Sequence, residues 1–155
     1  MVLEYILPNE KLLLIHEEVL ITFYNQRQTK FSFFESGGIL LGRVSEDYIF
    51  IDKATIPGEG DKRGPLFFHR SKARAQLITN RAFLRSKGKQ IYIGEWHTHR
   101  EKEPHPSFID KFEIRRVFRK SKLNLNFLIL IIVGNDDALG NIWTGYVDEN
   151  GIKVF

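Results

Sequence analysis

The chain has 155 residues, enough for one domain with its own core, and 43% hydrophobic against 27% charged residues is the balance of a globular protein, not of a disordered or fibrous one. It contains no cysteine, which excludes disulfides and thiol chemistry and leaves His and carboxylates to build any metal site. With 23 Lys and Arg against 19 Asp and Glu, the net charge of +4 is too mild to indicate nucleic acid by itself, though it suits an acidic protein partner or weak polyanion binding.

The most apolar run, Phe127 to Val133, is far short of the roughly 20 residues needed to cross a bilayer. The start, Met1 to Tyr5, lacks the basic and apolar regions of a secretion signal. A cytoplasmic protein is expected, with no membrane partner.

In chain order, Lys11 to Ile15 reads as a strand, and His16 to Gln26 as a helix, because Val19, Leu20 and Phe23 recur at helical spacing. Ile39 to Leu41, after Gly37-Gly38, reads as a buried strand, and Tyr48 to Ile56 as its hairpin partner across Ser45 to Asp47. Pro57 to Pro65 reads as an exposed loop and Leu66 to His69 as a short strand. Ser71 is suited to cap a helix over Lys72 to Ser86, with Leu77, Ile78 and Leu84 inward, basic residues outward and Gly88 at its end. The Arg and Lys pattern from Arg70 to Lys89 reads as a solvated face.

Gln90 to His97 reads as a strand. Ser107 starts a helix to about Lys120, with Ile114, Val117 and Phe118 on one face. Asn126 to Val133 and Gly140 to Val147 read as paired strands, and Ile152 to Phe155 as a short last one. The expected fold is α/β or α+β, a single domain over residues 1–155 with a mixed, mostly antiparallel sheet and about three helices.

The chemistry is concentrated in His97-Thr98-His99, seven residues, then Ser107-Phe108-Ile109-Asp110. On a strand of period two, His97 and His99 share a face with Cα atoms about 7 Å apart, so two imidazoles can converge on one ion while Thr98 points away. Ser107 and Asp110, at i and i+3, share a helix face. If the intervening loop folds back, Asp110 supplies a third ligand to a Zn²⁺ ion with an open position, and Ser107 stands ready to donate to a developing oxyanion.

Hydrolysis also needs a base. Spacing does not select one among Glu95, Glu101, Glu103 and Glu113; Glu95 has the parity of the two histidines, and Glu35 is remote in sequence. His105, between two prolines, reads as an exposed loop residue, and His16 and His69 as structural. Trp96, opposite in parity to the ligands, reads as core.

These residues resemble the JAB/MPN+ (JAMM) zinc metalloprotease family. Glu35-Ser36-Gly37-Gly38-Ile39-Leu40-Leu41-Gly42 resembles its first block and the His-x-His…Ser-x-x-Asp stretch its second, in the same order. The likeness runs from about Lys11 to Val147. It implies a JAB/MPN-like fold, with His97, His99 and Asp110 as zinc ligands, Glu35 as the base that activates water and protonates the leaving amine, and Ser107 as oxyanion stabiliser. Gly94 to His99 with Pro104-x-Pro106-Ser107 is most similar to the bacterial branch, and there to the JAB isopeptidases found with CBASS antiphage systems.

That resemblance implies a deubiquitinase-like isopeptidase or peptidase acting at the C-terminus of a conjugated or precursor protein. Its partner would be a ubiquitin-like conjugate or a conjugated nucleotidyltransferase. Two alternatives are a non-catalytic MPN scaffold, against which the complete ligand set counts, and a RadC-like repair protein, against which the Glu-x-Gly-Gly block counts. One position departs from the family: Arg100 stands where Pro is usual, so the strand exit loses a fixed φ and gains a charge.

Overall fold

The computed structural model describes residues 2–7, 10–123 and 125–155. Its elements are β1 (Val2–Ile6), β2 (Leu12–His16), α1 (Glu17–Gln26), β3 (Gly37–Val44), β4 (Tyr48–Ala54), β5 (Lys62–Gly64), β6 (Phe67–His69), α2 (Lys72–Arg85), β7 (Ile91–Thr98), α3 (Phe108–Lys120), β8 (Leu128–Val133), β9 (Ile142–Asp148) and β10 (Gly151–Val154). One sheet runs β1-β2-β4-β3-β7-β8-β9-β10, and β5 with β6 forms a separate hairpin. Within the large sheet β2–β4 and β7–β8 are parallel and the other neighbours antiparallel, so this is an α+β fold with a mixed sheet.

The sheet separates two apolar layers. Strand β8 is buried on both faces: Ile129, Ile131 and Val133 pack with α1's Val19, Leu20 and Phe23, while Leu128, Leu130 and Ile132 pack with Ile114 of α3. Period two in the strand and 3.6 in the helices supply both faces from one run of apolar residues. Trp96 belongs to the α1 layer, tilted against Phe23 with ring centroids 4.9 Å apart, and its indole N–H donates to the Thr55 carbonyl at 2.9 Å. Trp96→Ala is expected to cost about 3–5 kcal/mol, read as a lower urea midpoint with little change in slope.

Two expectations need correction, and one strand is added. A first strand, β1, pairs with β2, and residues 62–64 form β5 within the stretch read as loop. Along α2, Leu77 and Leu84 are not inward but exposed, and Ile78 is only half-buried. The helix is held at its start by Ser71, whose hydroxyl accepts from the Arg74 N–H, and by Asp61, which accepts from the Ser71 N–H and pairs with Arg74. No residue of α2 is buried. Among the described residues no helix is long and apolar enough to cross a membrane.

Candidate metal centre

The centre forms where β7 ends and α3 begins. The loop between them folds back because Pro104 is buried against Gly134, where a Cβ would stand 2.9 Å from the Pro104 ring, and because the Glu101 carbonyl accepts from the Asn135 N–H at 2.8 Å. Ser107 caps α3. Its hydroxyl oxygen accepts from the Asp110 N–H at 3.1 Å, while its own N–H donates to the Asp110 carboxylate at 2.7 Å. This reciprocal capping box fixes Asp110 in the first turn and turns its carboxylate toward the strand end.

There the carboxylate meets both imidazoles. His97 Nε2 lies 3.1 Å from Asp110 Oδ1, His99 Nε2 lies 3.0 Å from Oδ2, and the two Nε2 atoms are 3.2 Å apart. Three side chains with lone pairs thus converge, and they repel one another unless a proton or cation sits among them. Two donors at the usual Zn–ligand distance on a tetrahedral ion are separated by about 3.3 Å, so the spacing suits such an ion, and the nitrogen–nitrogen–oxygen donor set suits zinc. These three residues form a cluster able to hold a metal ion. The other nitrogen of His99, Nδ1, is buried without a hydrogen bond, with the Glu101 carboxylate 3.8 Å away. A carboxylate on that side is the usual outer neighbour of a ligating histidine.

Electrostatics follow the geometry. Burial works to raise the Asp110 carboxyl, but hydrogen bonds from His97 and His99, the charge of His97 and the Ser107 N–H outweigh it and hold the group far below the ordinary carboxylate range. Burial works to lower His99, and the Asp110 contact overcomes it and raises the imidazole.

Glu35 reaches this place through sheet register. Gly37 of β3 pairs with His97 of β7, and the pairing runs on beyond the strand, since the Thr98 N–H donates to the Ser36 carbonyl at 2.9 Å. The same register sets Glu35 opposite His99, with the parity of Gly37 and therefore on the face of the two histidines. Gly37 permits the approach: a Cβ there would stand 2.5 Å from the Phe68 ring and 2.7 Å from the Trp96 carbonyl. Burial raises the Glu35 carboxyl, against which His97 and His99 pull it down, while Asp110 adds to the rise.

The other candidates lie elsewhere. Glu95 is committed to structure: Arg70 Nε lies 2.7 and 2.9 Å from its two oxygens, and the Tyr92 hydroxyl donates to it at 2.6 Å. Arg70 and Arg74, read as solvated, are therefore both paired. Glu101 stands outside His99 Nδ1, Glu103 is exposed, and Glu113 pairs with Arg116. His105 is exposed, with Nδ1 2.8 Å from the Glu103 carbonyl; His16 caps α1, and His69 lies at the end of the β5–β6 hairpin. Arg100 lays its guanidinium over the exposed Phe33 ring at 4.0 Å, which ties the exit of β7 to the segment bearing Glu35 in place of a proline's rigidity. Nothing local in the sequence signals the tie from Ser36 to Thr98, because it spans 62 residues.

Comparison with known proteins gives a consistent picture. The model of a family described as prokaryotic homologs of the JAB domain matches residues 16–144. A curated relative from Escherichia coli (strain TW11681), named CD-NTase/cGAS isopeptidase, is 36% identical over 90% of this chain and 84% of its own length. Relatives of the same name from Vibrio cholerae and Pseudomonas aeruginosa are each 35% identical, covering 78% and 82% of this chain and 72% and 80% of their own. The solution structure of a protein from Desulfitobacterium hafniense shares the fold, with a TM-score of 0.64 at 17% identity over 91% of this chain and 88% of that one.

Proposed function

Since the chain belongs to the family of prokaryotic homologs of the JAB domain, we propose that it is a zinc-dependent isopeptidase that cleaves an amide bond at the C-terminus of a conjugated protein. The observation that carries this reading is the convergence of His97, His99 and Asp110 beside Glu35. His97, His99 and Asp110 would hold the zinc ion, which supplies Lewis-acid chemistry, acidifying water and polarising a carbonyl.

The chain's own groups do the rest. Glu35 takes the proton from the attacking water and returns it to the nitrogen of the leaving amine, a role suited to a carboxyl raised by burial and restrained by neighbouring imidazoles. The Ser107 oxygen already accepts from the Asp110 N–H, so its hydroxyl proton is left to donate to the oxyanion that develops on the carbonyl oxygen as water adds to the carbonyl carbon. Ser107 is exposed and beside the cluster, as such a donor must be. Thr98 and Trp96 take no part, since alternation turns them to the other face of β7.

The substrate reading follows the relatives, each of which is named CD-NTase/cGAS isopeptidase. A role in bacterial antiphage defence and a cytoplasmic setting go with it. The test is cleavage of a nucleotidyltransferase conjugated through a C-terminal amide, and of a ubiquitin-like amide fusion. Chelation is expected to stop turnover and stoichiometric Zn²⁺ to restore it, whereas a conjugate left intact by the zinc-loaded protein would favour a binding scaffold.

A further inference from the structure

Glu35 lies outside the sheet, since β3 begins two residues after it, yet its own N–H and carbonyl are both hydrogen-bonded. Gln28, just beyond α1, is buried at 1% exposure. Its Nε2 donates to the Phe33 carbonyl at 2.8 Å and to the Pro65 carbonyl at 3.3 Å. Its Oε1 accepts from the Thr98 hydroxyl at 3.0 Å, and that hydroxyl accepts from the Ser36 N–H at 3.0 Å. Arg63 of β5 comes from the other side. Its Nε donates to the Glu35 carbonyl at 2.8 Å, and a terminal nitrogen donates to the Phe34 carbonyl at 3.2 Å and the Ser36 hydroxyl at 2.8 Å. The Glu35 N–H donates to the Gly64 carbonyl at 2.8 Å.

Every carbonyl from Phe33 to Ser36 therefore has a donor, while the Phe33 and Phe34 side chains stay exposed. Apart from Arg100 over the Phe33 ring, this segment is held by two polar side chains, the buried Gln28 and the half-buried Arg63. A base on a three-torsion side chain keeps its distance from the metal centre only if its backbone is fixed. Because Thr98 lies between the two candidate ligands, Gln28 also joins the segment to the strand that carries them.

We propose that Gln28 and Arg63 are positioning residues, which lock the Glu35 backbone onto β7 and the β5–β6 hairpin so that its carboxylate faces the metal centre. This rests on the reading of Glu35 as the base. The chain of bonds has a fixed sense: residue 28 must accept from Thr98 at one end and donate to two carbonyls at the other. Gln28→Glu keeps the shape and turns that donor into an acceptor.

In zinc-loaded protein, Arg63→Ala and Gln28→Glu are expected to lower kcat about a hundredfold, with KM changed less than about threefold. Bound zinc should stay at the wild-type level, because neither side chain touches His97, His99 or Asp110. Arg63→Lys, which keeps a charge and fewer directed donors, should recover part of kcat. In metal-free protein, amide exchange of Glu35 and Ser36 should quicken about tenfold in Arg63→Ala. Wild-type kcat or wild-type exchange in folded variants overturns the proposal, as does loss of zinc in step with kcat, which marks a general structural role. If Arg63→Ala does not fold, Arg63→Lys and Gln28→Glu decide by the same criteria. Full activity of Glu35→Gln would instead overturn the reading of the base itself.

Discussion

Glu35→Gln is expected to lower kcat for amide cleavage by about 10²–10⁴-fold while leaving bound zinc unchanged. Gln has nearly the size of Glu and keeps an acceptor, but it has no carboxylate to take a proton. Burial raises the Glu35 carboxyl above its ordinary value, and the imidazoles of His97 and His99 restrain that rise. Glu35→Asp, which withdraws the carboxylate by one methylene, should lie between wild type and Gln. Single-turnover cleavage with metal analysis of the same samples checks this, and an unchanged rate in Glu35→Gln would remove the residue from the mechanism.

Asp110→Ala is expected to remove activity and zinc together and to loosen α3 as well. Its carboxylate serves twice, accepting from the Ser107 N–H in the capping box and facing both imidazoles. The capping loss should cost about 0.5–1 kcal/mol in metal-free protein. Asp110→Asn separates the two roles: the amide oxygen can still cap the helix, but the charge that binds a cation is gone. The expected pattern is Asn with near wild-type apo stability and no zinc, Ala with neither, and no recovery of either on adding zinc. Denaturant titration of chelated samples beside zinc stoichiometry reads both effects. Zinc retained by Asp110→Ala would exclude Asp110 as a ligand.

How far the sequence disclosed this site depends on distance along the chain. His97, His99, Ser107 and Asp110 are close together, so strand and helix periods alone bring them to one place. Glu35 is different. Its position depends on the register of β3 against β7, a long-range pairing that no local period encodes, and only the family resemblance pointed to it. Glu95 had the right parity, but parity cannot show that Arg70 and Tyr92 already hold a carboxylate. The error at α2 is of the same kind: the period shows that Leu77 and Leu84 share a face, not that a layer covers it. The strand β6 was legible as the short strand read over Leu66 to His69, but its partner β5 was hidden as three residues in a glycine-containing stretch, and the contacts of Arg63 to the Glu35 segment are hydrogen bonds to distant backbone.

The alternation along β7 has a consequence for folding. Trp96 and His97 are consecutive and face opposite sides, one into the α1 layer and the other into the metal centre. A slip of one residue would exchange them, burying an imidazole among aliphatic side chains and presenting an indole to the metal. Both halves of that error are unfavourable, and the first costs stability whether or not an ion is bound. Hydrophobic sorting therefore favours the same register that brings His97, His99 and Asp110 together.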